Sequence, residues 1–281
     1  MEQEIPHRLS TLGHPQRLAV FRLLMRRYPD RVPATELALT LDLKPNTLST
    51  YVKALMQARL VTQERVGTSL RYAIDMNAAR ETFDYLLRDC CRGRPDLCSP
   101  FAAIGFDGDS PMTDRKYNVL FICTGNSARS IFAESILRME AGARFVAYSA
   151  GTKPRSELNP FALEVLEQKG HDTSVLETKN LSVFQGEGAP AFDFVFTVCN
   201  QAANEECPAW PGQAVSAHWG MPDPVKATGS DAEKSLAFQQ SYGALLNRIK
   251  AFTALPISSL DRIGLQKAVD TIAQTNEGAS A

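Results

Sequence analysis

The stretch VLFICTGNSARSIFAESILRMEAG, residues 119–142, restricts the fold more than any other. An unbroken apolar run from Val119 to Ile122 stops at Cys123, and five small or polar residues follow before Arg129 and Ser130. Beyond them Phe132, Ala133, Ile136 and Leu137 recur at helical spacing. The pattern predicts a buried strand, a tight loop and a helix. Backbone N–H groups of such a loop face a concavity, and the following helix adds the positive end of its dipole. The loop Thr124, Gly125, Asn126, Ser127, Ala128, Arg129 and Ser130 is therefore the candidate oxyanion cradle. Gly125 and the small Ser127 and Ala128 let the backbone come close, and Arg129 supplies a two-pronged cation. Cys123, at the base of this field, is expected to be a nucleophilic thiolate with a lowered pKa, assisted by a hydrogen bond from Ser130.

At 281 residues the chain is long enough for about two domains. The formal net charge is −1, but the first hundred residues are basic and the remainder acidic, which suggests different partners for the two halves. No apolar run reaches the roughly 20 residues of a membrane helix, so no membrane partner is expected. The acidic start MEQEIPHRLS lacks the apolar core of a signal peptide, and a cytoplasmic chain is expected. Six cysteines, at 90, 91, 98, 123, 199 and 207, are then reactive or ligating rather than disulfide-bonded.

Residues 93–115, rich in Gly, Pro, Asp and Ser, are expected to be a linker between a domain over 1–92 and another over 116–273, with 274–281 a disordered tail. The first domain is expected to be mostly α. HPQRLAVFRLLMRR carries an apolar stripe of Leu18, Phe21, Leu24 and Met25, with Pro15 in the first turn. PATELALTLDL is a short helix, and KPNTLSTYVKALMQARLV follows after a brief turn. LVTQERVGTSLRYAI alternates about a glycine turn as a β-hairpin, and NAARETFDYLLRDCC closes the domain as a helix with Ala79, Phe83, Leu86, Leu87 and Cys90 at helical spacing. This order is that of a winged helix-turn-helix, whose second helix enters the major groove. Lys44, Asn46, Thr47, Ser49, Thr50 and Lys53, with Arg65 and Arg71 of the hairpin, are the candidate DNA contacts.

LGHPQRLAVFRLL, NTLSTYVKALMQARLV and RVGTSLRYAI resemble the ArsR/SmtB family of metal-sensing repressors. The resemblance implies operator DNA as partner, a homodimer built on the first and last helices, and repression relieved by an inducer. Cys90, Cys91 and Cys98 stand at the end of the last helix, where Gly93 and Pro95 ease unwinding. Three thiolates without a nearby His suit arsenite or antimonite, which take three sulfurs, better than zinc, which takes four ligands.

About a hundred residues beyond the loop, AHWGMPDPV places Asp223-Pro224 where a carboxylic acid could protonate a leaving oxygen. Nucleophile loop first and Asp-Pro loop late resembles the low-molecular-weight tyrosine phosphatase fold. The resemblance implies a doubly wound parallel α/β sheet, with Cys123, Arg129, Ser130 and Asp223 in the family's catalytic places. Strands near 145–149, 193–198 and 214–218 and helices near 159–169, 230–253 and 260–273 fit that pattern.

The same fold serves hydrolysis and arsenate reduction, and reduction needs further thiols. FICTGNSARS, YSAGTKP, VFTVCNQAANEECPAWPG and AHWGMPDP resemble thioredoxin-coupled arsenate reductases. In this reading Cys199 attacks Cys123, and Cys207 then attacks Cys199 and carries the disulfide to an external thioredoxin or glutaredoxin, with no bound cofactor. Ala128 stands where some relatives carry a cysteine, the Cys199–Cys207 interval is wider than in the best-understood ones, and Val225 stands where tyrosine phosphatases usually place a tyrosine. The expected function is an arsenite-responsive repressor fused to an arsenate reductase, with arsenate as substrate. Two alternatives stay open: a tyrosine phosphatase tethered to DNA, and a non-enzymatic regulator that senses an oxyanion.

Overall fold

The computed structural model describes residues 4–90, 115–186, 188–205 and 214–274. The chain forms two compact units, Met1–Thr113 and Asp114–Ala281.

In the first unit, α1 (Glu4–Leu12) and α2 (Pro15–Arg26) precede a short strand β1 (Val32–Pro33) and the helices α3 (Ala34–Thr40) and α4 (Pro45–Gln57). Proline opens α2 and α4, where its missing N–H costs nothing. The hairpin β2 (Val61–Val66) and β3 (Ser69–Ile74) turns through Gly67 at φ 59°, a conformation that suits glycine. The antiparallel order is β1-β3-β2. Asp75 then caps α5 (Met76–Tyr85) by accepting from the N–H groups of Asn77 and Ala78, and a π-helical turn, Leu86–Cys90, follows. The core joins Val20, Leu23 and Leu24 of α2 to Leu37, Val52, Leu55 and Tyr72. Buried Arg8 ties α1 to this body through the carbonyls of Ala58 and Ala78. Two expected core residues differ: Leu18 and Phe83 are exposed, because no described residue of this unit covers them.

In the second unit four parallel strands, β4 (Tyr117–Cys123), β5 (Phe145–Gly151), β6 (Phe194–Thr197) and β7 (Val215–His218), stand in the order β5-β4-β6-β7. The helices are α6 (Arg129–Ala141), α7 (Pro160–Gln168), the five-residue α8 (Asn200–Asn204), α9 (Asp231–Thr253) and α10 (Arg262–Gln274). Helix α6 packs on β4 and β5, α9 lies along α6 and α7, and α10 packs on β7. Successive strand residues face opposite ways, so β5 sends Phe145 to Phe252 of α9 and Tyr148 to Phe184 and Phe192. Trp219 stacks on Phe196 at 4.0 Å between ring centroids beneath the last two strands. This is the open parallel α/β sheet expected for the second domain. Among the described residues, no helix is long and apolar enough to cross a membrane.

Candidate active site

Strand order reverses between β4 and β6, and ligands of open α/β sheets bind where the carboxyl ends of such strands part. Cys123 ends β4 and Cys199 lies two residues beyond β6, so topology alone brings both sulfurs to one crevice. Both are buried.

The loop after Cys123 is shaped from behind by residues 152–159. Thr152 N–H donates to the Cys123 carbonyl at 3.1 Å, Lys153 N–H to Thr124 at 2.9 Å, Arg155 N–H to Gly125 at 2.9 Å and Asn159 N–H to Ser127 at 2.9 Å. These loop carbonyls are spent on the neighbouring segment, which favours amides directed to the concave side. A Cβ on Gly151 would come within 2.6 Å of the Thr124 carbonyl, so the two segments approach this closely only around a glycine.

Asn126 holds the loop's shape. It is fully buried and sits at φ 43°, in the left-handed region that asparagine tolerates. Its amide group donates to Ser130 Oγ at 2.9 Å and Ser149 Oγ at 2.8 Å, while Oδ1 accepts from Lys179 N–H at 2.6 Å. Only its backbone N–H faces Cys123, 3.0 Å from Sγ. The cradle expected from the sequence is one of backbone N–H groups, and the Asn126 side chain is turned into the fold behind it. Ser149 in turn donates to the buried carboxylate of Glu134, which pairs with Arg138.

Cys123 Sγ lies 2.9 Å from Ser130 Oγ. Burial pushes this thiol above its ordinary value and the Cys199 sulfur adds to the rise, while the Ser130 hydrogen bond and the Arg129 charge oppose it without prevailing. The expected lowered pKa is thereby corrected: the strand end that holds the sulfur in the crevice also removes it from water. Arg129 Nη2 pairs with Asp223 Oδ2 at 2.9 Å, and its Nη1 donates to the Met221 carbonyl at 3.2 Å. The expected cationic clamp and the expected acid thus contact each other.

Cys199 precedes α8, and its sulfur is 3.4 Å from Thr124 Oγ1. The second thiol therefore lies against the first residue of the loop. Cys207 lies outside the described residues.

In the first unit Lys44, Asn46, Ser49, Thr50 and Lys53 of α4 and its cap are exposed, Thr47 is half-buried, and Arg65 is exposed on β2. Arg71 is half-buried, because β3 is the central strand and Arg71 sits between Pro33 and Glu64. Cys90 is exposed at the end of the π-helical turn, and Cys91 and Cys98 lie outside the described residues.

The family model described as low molecular weight phosphotyrosine protein phosphatase matches residues 118–262, just over half of the chain. The chain belongs to that family. Arsenate reductase of Bacillus subtilis is 34% identical to this phosphatase-family chain over 134 residues, covering 48% of this chain and 93% of its own. Arsenate reductase of Bacillus licheniformis is 35% identical over 137 residues, covering 49% and 95%. A solved thioredoxin-dependent arsenate reductase of Corynebacterium glutamicum aligns with 77% of this chain and 90% of its own at 24% identity and a TM-score of 0.38, too distant to add to the comparison.

Three features of this phosphatase-family site were not read from the sequence: the backing segment 152–159, Glu134 in the first half of α6, and His218. The first leaves no pattern in residue type, since backbone groups make the bonds. Glu134 and His218 are lone titratable residues in otherwise buried stretches, a signal too weak to assign a partner.

Proposed function

We propose that the second unit reduces arsenate to arsenite. The observation that carries this reading is the second buried thiol, Cys199, against Thr124 of the nucleophile's own loop. Hydrolysis of a phosphoester has no use for it. The Cys123 sulfur displaces one oxygen of arsenate, which leaves as water with a proton supplied by Asp223, and an As–S bond forms. Cys199 then attacks the Cys123 sulfur. The S–As bond breaks, its electron pair leaves with arsenic, As(V) becomes As(III), and a Cys123–Cys199 disulfide remains. Cys207 attacks Cys199 and frees Cys123, and an external dithiol of the thioredoxin type reduces the Cys199–Cys207 bond. Arg129 binds the oxyanion after exchanging its Asp223 partner for substrate. The raised Cys123 pKa fits a nucleophile that gives its proton to the incoming arsenate dianion.

For residues 1–92 we propose a winged helix-turn-helix that binds operator DNA as a homodimer, joined by a linker over 93–115 to the reductase over 116–273. The exposed polar face of α4 and exposed Arg65 support this reading, with Arg71 in a supporting rather than a contacting place. Cys90, with Cys91 and Cys98, is the proposed arsenite or antimonite site that releases the DNA. The reductase would then make the species to which the repressor responds.

The test follows arsenite formation from arsenate with a thioredoxin system, alongside gel-shift titration of the upstream DNA with arsenate and with arsenite. The proposal expects turnover, and DNA release by arsenite alone. DNA release by arsenate in the absence of any reductant would instead favour a sensor without catalysis.

A further inference from the structure

His218 grips both sides of the turn that carries Cys199. Its Nδ1 is 2.8 Å from Thr197 Oγ1, at the end of β6, and its Nε2 is 3.2 Å from Asn200 Oδ1, the first residue of α8. One imidazole therefore spans the four residues Thr197–Asn200, whose third member is the second thiol. The ring is buried, whereas Asn200 is exposed. Strand pairing holds the histidine itself, since Thr197 and His218 are partners in the β6–β7 register and Trp219 N–H donates to the Thr197 carbonyl at 2.8 Å. Gly220 completes the fit. A Cβ there would come within 2.5 Å of His218 Nε2 and 2.6 Å of Asn200 Oδ1, so any side chain would part the pair.

The consequence falls on the Cys199 sulfur. A disulfide exchange requires the attacking sulfur in line with the bond it breaks, and small misplacements of a reacting atom slow a step about 100-fold. Helix α8 has only five residues and is anchored through the buried Ala202 and Ala203, so its first residue, Asn200, depends on support from outside the helix. The sulfur itself meets Thr124 Oγ1 at 3.4 Å and the Ala202 N–H at 3.4 Å, hydrogen bonds of ordinary length for sulfur but weak ones, which orient it less firmly than the two imidazole bonds hold its turn. We infer that His218, through Thr197 and Asn200, is the positioning residue that aims Cys199 at Cys123. It touches neither oxyanion nor nucleophile in this role, and the inference rests on the relay proposed above.

The test uses the full chain in a Cys207→Ser background, where the relay stops at the Cys123–Cys199 disulfide. After mixing with saturating arsenate, the rate of that disulfide is read by mass spectrometry, and binding of inorganic phosphate is measured by calorimetry. His218→Ala, and Asn200→Ala as the variant that removes the same bond from the exposed side, are each expected to slow disulfide formation about 10–100-fold. Phosphate affinity should stay within about two-fold, since the loop is untouched. An unchanged rate in Asn200→Ala overturns the inference, as does a parallel loss of phosphate binding in both variants, which would mark a purely structural histidine. If the Cys207→Ser chain itself forms no disulfide with arsenate, the relay falls first and the inference with it.

Discussion

Arg129 Nη2 and Asp223 Oδ2 lie 2.9 Å apart, so the residue expected to grip an oxyanion is already held by the residue expected to protonate its leaving oxygen. In the proposed reaction the oxyanion must compete with Asp223 for the guanidinium. Asp223→Asn should therefore tighten inorganic phosphate about 3–10-fold, the effect of releasing a partly buried ion pair worth about 1 kcal/mol. The same change removes the proposed acid and should slow the chemical step about 100-fold. Phosphate binding by calorimetry and single-turnover rates check both halves, and weaker phosphate binding would show that Asp223 does not compete.

Asn126 offers a second test. Its left-handed backbone and its side-chain bonds to Ser130, Ser149 and the Lys179 amide act together. Asn126→Ala should destabilise the second unit by roughly 3 kcal/mol, from lost hydrogen bonds and a strained φ. Asn126→Gly relieves the strain but not the lost bonds, and should fall between. Thermal unfolding of the two variants measures the split, and equal stabilities would assign the whole effect to the side chain.

The Cys123 thiol makes a prediction with a sign. Burial and the Cys199 sulfur both raise its pKa, so its alkylation by iodoacetamide should rise with pH through a midpoint above the ordinary thiol value. Cys199→Ser removes one of the raising causes and should move the midpoint down, whereas Ser130→Ala removes a lowering cause and should move it up. Peptide mapping of the modified site gives the profile. A midpoint below neutrality in the unmodified chain would contradict the description of the site.

How legible this site was in the sequence depends on where its information resides. Cys123 and Arg129 are readable because a strand end, a fixed spacing and a helix start together dictate what a loop of that length encloses. Cys199 and Asp223 are readable as residue types on later loops, and their meeting place follows from parallel strand order. The Cys123 pKa was misjudged because the sequence names the charges around a sulfur but not its depth. The bracing role of the Asn126 side chain is not legible for a related reason: a polar residue in a cradle and a polar residue that braces the cradle look alike until Ser149 and Lys179 are placed. Leu18 and Phe83 show the same limit in the first unit, where helical spacing marks an apolar face without saying what covers it.

Asp270 on α10 provides a stability test away from the site. Burial raises its pKa to about 6, against a partial opposing effect from the Gln266 hydrogen bond. The folded state thus binds this proton more tightly than the unfolded chain, whose carboxyl titrates near 3.8. The contribution of this group to stability is greatest in acid and declines as pH rises from about 4 to about 6. Asp270→Asn keeps an acceptor for Gln266 and should raise the melting temperature of the second unit by about 2–4 °C at pH 7, with no gain near pH 4. Calorimetric scans at both pH values check it, and a lower melting temperature at pH 7 would show that the charge is stabilising.

The most direct measurement compares the unaltered chain with Cys199→Ser on two substrates, arsenate with a thioredoxin system and an aryl phosphate without one. Reduction through a second thiol predicts that Cys199→Ser forms no arsenite while its aryl phosphate hydrolysis stays at the level of the unaltered chain. Arsenite formation that survives the loss of Cys199 would contradict it.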